Sequence, residues 1–202
     1  IARIQYKPGK VIKNYTGTVR FTDLNYANTD GEAFGKVKRA DAALSDDGNT
    51  LLIWVRTTKN KLLFSTYDAN VLNQLLDEKE GKEKCYISFK NNKTLQKACL
   101  GSYEQHSTDK WTLPNESFQG AELTDSGTIY VVGGMPNDTP GLIVLTGKGD
   151  TYRYSALITF ENSEFKKMDQ EIEGIQLKGD RAYIGICDHK QQDKKQFLYS
   201  FY

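Results

Sequence analysis

The chain has 202 residues, 38% hydrophobic and 26% charged, so it can bury a substantial core and is neither disordered nor fibrous. Its 27 Lys and Arg nearly cancel its 26 Asp and Glu, and a formal charge of +1 leaves no basic footprint for nucleic acid or anionic lipid. No run approaches the roughly 18 apolar residues that span a bilayer; the longest are strand-length, such as 51–55.

In chain order, segment 1–6 reads as a lone strand, as though it closed a unit whose other strands lie upstream. The expectation is therefore a longer region before Ile1, or a second chain that completes the structure. The first clear unit is ADAALSDDGNTLLIWV from Ala40. It combines an apolar entry, a turn at 45–48 built from Ser, Asp and Gly, and a strand at 51–55 rich in β-branched and aromatic residues. A polar loop at 59–61 and a strand at 62–67 follow.

A helix then starts at Asp68, which can cap it, as can Asn70. Val71, Leu72, Leu75 and Leu76 form one apolar stripe, and Gly81 ends the helix. The helix is short and its tail of Asp77, Glu78 and Glu80 is acidic, so it reads as a helix packed on a sheet, not a membrane-binding one. Segment 86–89 is the candidate outer strand of this first unit.

The second unit, QGAELTDSGTIYVVGG from Gln119, has its turn at 124–127 and strands at 129–132 and 142–146, with 154–160 as the outer strand. The third, EGIQLKGDRAYIGICD from Glu173, has its turn at 178–181 and strands at 183–186 and 197–202. The three units superimpose without gaps, making Leu44, Leu123 and Leu177 equivalent. Repeats of about 40–50 residues with four strands each are the signature of a propeller. The reading is an all-β chain: a β-propeller of antiparallel four-stranded blades, five when complete, with one short helix. It forms one domain over 1–202 or the C-terminal portion of one, with units near 37–67, 117–147 and 171–202.

No phosphate loop, zinc-protease helix, nucleophile elbow or paired-cysteine metal motif is present. The cysteines Cys85, Cys99 and Cys187 read as thiols, with a Cys85–Cys99 disulfide kept open. His106 reads as a surface residue. Asp188 and His189 end a predicted strand, where a loop can present both. The recurrent positions at the start of each inner strand carry more weight: Asp41, then Gln119 and Glu122, then Glu173 and Gln176. First strands of propeller blades line the central channel, so these residues would form a ring of carboxylates and amides. Such a ring can hold a small polar ligand or a central cation, or it can simply satisfy its own hydrogen bonds in a narrow tunnel. No other cofactor is expected. The 12 Tyr and the Asn-bearing loops suit a glycan surface, although Tyr is also an ordinary strand residue.

The ordered segments IARIQ, FTDLNYANTDG, ADAALSDDGNTLLIWV, YDANVLNQLLDEK, FQGAELTDSGTIYVV, IEGIQLKGDRAYIGICDHK and FLYSFY resemble the C-terminal part of the helveticin J family, large heat-labile bacteriocins secreted by Gram-positive bacteria. The resemblance implies a secreted antimicrobial protein acting at the bacterial cell envelope, and it carries over no catalytic residues. It implies that His189 sits at a family histidine, that Glu173 and Gln119 match acidic or amide positions, and that Asp41 keeps an acidic charge. Loop 134–140 is shorter than the family's and insert 82–116 matches poorly. Three functions follow as expectations: binding of an envelope component by a bacteriocin, glycan hydrolysis by a pair among Asp41, Glu122 and Glu173, or lectin-like carbohydrate binding.

Overall fold

Alternation of side chains across a strand sorts this sequence into layers. The structure, a computed structural model, describes residues 1–4, 8, 9, 11, 18–105, 111, 117–136, 139–160, 169–190 and 195–201. The elements run β1 (Arg20–Thr22), β2 (Val37–Leu44), β3 (Thr50–Thr57), β4 (Leu62–Asp68), α1 (Ala69–Asp77), β5 (Tyr86–Ser88), α2 (Lys93–Ala98) and β6 (Cys99–Glu104). They continue as β7 (Gly120–Leu123), β8 (Ile129–Gly133), β9 (Gly141–Thr146), β10 (Arg153–Thr159), β11 (Gln170–Lys178), β12 (Arg181–Asp188) and β13 (Lys195–Phe201).

Three antiparallel sheets result, in the orders β2-β3-β4-β6, β7-β8-β9-β10 and β11-β12-β13. A small parallel pair, β1 with β5, is hydrogen-bonded to none of them but packs its Phe21 and Ile87 into one core with Ile53, Val55 and Leu63 of the first. Strands β2, β7 and β11 each lead a sheet, and β7 packs against both of the others. The described residues form no closed barrel or closed ring of sheets.

The central strands carry unbroken apolar runs because both of their faces are covered. In β3, Leu52 and Trp54 enter the core between the first two sheets, while Ile53 and Val55 face a second core beneath the helices. In β8 and β9, Ile129, Val131, Ile143 and Leu145 complete the first core, and Val132, Leu142 and Val144 meet Ile172, Ile184 and Ile186 of the third sheet. Trp54 packs at 3.7 Å between centroids against the tilted ring of Phe118, just ahead of β7. At about 25 cal/mol per Å² of buried apolar surface, these interleaved faces are the main force holding the sheets side by side.

The equivalent turns of the first two units use one device. Ser45 Oγ accepts from Thr50 N at 3.0 Å, and Thr124 Oγ1 accepts from Thr128 N at 2.9 Å. The glycine of each, Gly48 at φ 74° and Gly127 at φ 90°, takes the left-handed conformation that closes the turn.

Segment 86–89 is not the outer strand of the first sheet: β5 pairs in parallel with β1, and β6 takes the outer position by pairing with β4. The cause is α2, a second short helix whose N-cap Asn92 accepts from Leu95 N and which returns the chain to the sheet edge. The described residues thus hold two α-helices, not one. In α1, Asp68 is the cap, accepting from Asn70 N and Val71 N, and Leu72 and Leu76 are buried. Gly81 lies beyond the end of α1 in a following turn, at φ 71°. The second sheet's outer strand, β10, matches the expected position and pairs with β9. No helix of the described residues is long and apolar enough to cross a membrane.

Of the expected strand at 1–6, residues 1–4 are described and are paired: Ala2 bridges Arg20, and Phe21 N donates to Ile1 O at 2.8 Å. All three cysteines are thiols, so the open Cys85–Cys99 disulfide is not formed. His106 lies outside the described residues.

Candidate functional site

Where the leader strands converge, they enclose a groove of about 660 Å³. The expected ring residues Asp41, Gln119, Glu122, Glu173 and Gln176 all line it. On one side Gly120 of β7 packs against Gly174 of β11, close enough that a Cβ there would lie 3.6 Å from Gly174 Cα, an ordinary contact.

The five residues differ in environment. Asp41 and Gln176 are exposed and spend their polar atoms locally: Asp41 Oδ1 accepts from Ala42 N at 2.8 Å, and Gln176 Nε2 donates to Leu177 O at 3.1 Å. Glu122 is only 5% exposed and accepts from Leu123 N at 3.1 Å. Burial pushes its carboxyl above the ordinary value, against the opposing pull of hydrogen bonds from the backbone of Leu123 and Leu177.

Gln119 reaches across to the third sheet. Its Nε2 donates to Glu171 Oε1 at 2.5 Å, while its Oε1 accepts from Arg39 Nη1 at 3.0 Å. Arg39 also donates to the carbonyl of Phe118. An Arg39–Gln119–Glu171 chain therefore links all three sheets beside the groove.

The strand-end pair separates. Asp188 is buried and structural, its Oδ1 accepting from Asp169 N at 3.1 Å and Lys190 N at 3.0 Å to fix the turn after β12. That corrects the expectation that a loop presents it. His189 instead turns its Nε2 to within 2.9 Å of Glu171 Oε2, a charge contact when the ring is protonated and not a hydrogen bond in this geometry. Neither residue lines the groove.

Glu173, Cys187 and His189 form a cluster whose donor atoms lie within 4.8 Å of one another, so these residues could hold a metal ion. Glu171 and Cys187 are cross-strand partners, and the ladder shifts register between Ile172 and Gly174, so Glu173 sits at a bulge. Neither Cys187 nor Glu171 was singled out from sequence. The available signal was a pair of alternating motifs, Glu171-x-Glu173 and Cys187-x-His189, on strands joined by a two-residue turn.

These features define an all-β protein of antiparallel sheets whose leading strands meet around a polar groove. A family model described as bacteriocin helveticin-J matches residues 1–201, and the chain belongs to that family. No curated protein matches it.

Proposed function

We propose that this chain is a secreted bacteriocin-like antimicrobial protein that binds a component of the cell envelope of related bacteria through the groove between β2, β7 and β11. Membership of the bacteriocin family over residues 1–201 carries this reading. The groove supports the binding part: its wall is polar and built from side chains of three sheets, which suits a hydroxyl-rich or glycan-like ligand better than an acyl chain. We read the three sheets as consecutive blades of a propeller, with β2, β7 and β11 as inner strands, and the polar groove as part of its axial channel.

One observation favours a second reading, glycan hydrolysis. Glu122 is a buried carboxyl shifted upward, as a general acid is, and it shares the groove with Asp41 and Glu173. A single experiment separates the two: the purified protein is applied to a panel of related Gram-positive strains and, in parallel, to their isolated cell walls. Growth inhibition without release of reducing ends or free amines is the expected result. Release of either, lost in Glu122→Gln, would establish the enzyme instead, and absence of inhibition across the panel would refute the antimicrobial reading.

A further inference from the structure

We propose that Glu173, Cys187 and His189 constitute a zinc-class metal site at the inner edge of the third sheet, with Glu171 as the residue that orients His189. The donor set is one imidazole nitrogen, one thiolate sulfur and a carboxylate oxygen, the combination that zinc accepts and that magnesium and calcium, which prefer all-oxygen shells, do not. A tetrahedral zinc with bonds of about 2.0–2.3 Å holds its donors roughly 3.3–3.8 Å apart. The three donors here lie within 4.8 Å of one another, so drawing them together by about 1 Å through side-chain rotation closes the set.

The backbone assembles the site. Strand pairing places Glu171 opposite Cys187, the bulge presents Glu173, and His189 is the first residue past β12. Glu171 adds the outer part of the pattern. Metal-bound histidines usually keep their second ring nitrogen on a carboxylate; Glu171 Oε2 stands 2.9 Å from His189 Nε2, so a turn of the ring that aligns Nε2–H with Glu171 would make that bond and leave Nδ1 to the metal. Gln119 in turn holds the other oxygen of Glu171 from the second sheet. A Cys187 nucleophile with His189 as base fits less well, because Cys187 is only 4% exposed and a substrate carbonyl would not reach it.

The test uses the full chain, stripped with a chelator and titrated with Co²⁺, then with Zn²⁺. One Co²⁺ per chain is expected, with a near-ultraviolet thiolate-to-cobalt band and visible bands of tetrahedral intensity, all displaced by Zn²⁺. Cys187→Ser should abolish the thiolate band. Glu173→Gln and His189→Gln should weaken binding by at least tenfold, and Glu171→Gln by about 10- to 100-fold while keeping the thiolate band. Should Cys187→Ser fail to fold by circular dichroism, the Glu173 and His189 variants, at less buried positions, carry the same readout. Absence of saturable Co²⁺ binding overturns the proposal. So does a thiolate band with unchanged affinity in both Glu173→Gln and His189→Gln, which would place the metal on another cysteine.

Discussion

Gln119 Nε2 donates to Glu171 Oε1 across 2.5 Å, joining the segment ahead of β7 to β11. The bond is charge-assisted and partly buried, so it holds two sheets in register where their apolar faces alone would let them slide. Coupling between the two residues is the expected consequence. In a double-mutant cycle of Gln119→Ala and Glu171→Ala, measured by urea unfolding with chelator present, the interaction energy should be about 0.5–3 kcal/mol. Strict additivity would show that the bond does not tie the sheets.

Glu122 predicts a pH dependence of stability. Its folded value lies above the ordinary 4.5 because of burial, so the folded chain holds this proton more tightly than the unfolded chain. The stability contributed by that proton is complete below pH 4.5 and is lost as pH rises through the folded value. Glu122→Gln cannot ionise but keeps an acceptor for Leu123 N. Its melting temperature at pH 7 should equal or exceed that of the parent, with a flatter profile above pH 4.5. A lower value at pH 7 with an unchanged slope would contradict this account.

Gly101 of β6 faces Gly149 in the turn between β9 and β10, and a Cβ at Gly101 would lie 2.1 Å from Gly149 Cα. Backbone on both sides leaves no flexible side chain to yield. Gly101→Ala should cost about 1–3 kcal/mol or more in denaturant unfolding, by forcing the outer edges of the first two sheets apart. An unchanged midpoint would mean that this contact is loose.

Asp68 caps α1 by accepting from Asn70 N at 2.9 Å and Val71 N at 3.3 Å. Asp68→Ala should lower stability by about 0.5–2 kcal/mol, whereas Asp68→Asn, which keeps the acceptor, should lose much less. Equal losses in the two variants would assign the effect to something other than capping.

Asp41 and Gln176 are the groove residues best suited to a functional test, because both are exposed and each hydrogen-bonds its adjacent residue. Asp41→Ala and Gln176→Ala should each reduce killing of a sensitive strain with less than about 0.5 kcal/mol change in stability. Full killing by the double variant would move the binding surface away from the groove. The same variants should leave Co²⁺ binding intact, which separates this test from that of the Glu173–Cys187–His189 cluster.

The sequence by itself determined the strands, because strand formation is written in local chemistry. Runs such as LLIWV and YIGIC are too β-branched and apolar for anything but a covered sheet, and the Ser, Asp and Gly turns between them leave the chain only a hairpin. Equivalence of Leu44, Leu123 and Leu177 likewise aligned the leader strands, and with them Asp41, Gln119, Glu122, Glu173 and Gln176 around one groove. Tertiary structure decided what local chemistry leaves degenerate. Both 86–89 and 99–104 can form a strand, and α2 settled which of them joins the first sheet by carrying the chain back to β4 only at Cys99. Register decided the rest. Counted back from the turn at 179–180, an unbroken ladder would set Ile172 against Cys187, but the bulge at Glu173 shifts the pairing by one residue and sets Glu171 there instead. A one-residue slip exchanges the two faces of a strand. That shift, beside the in-strand Gly174, is what sends Ile172 into the core and gathers Glu171, Glu173, Cys187 and His189 at one point.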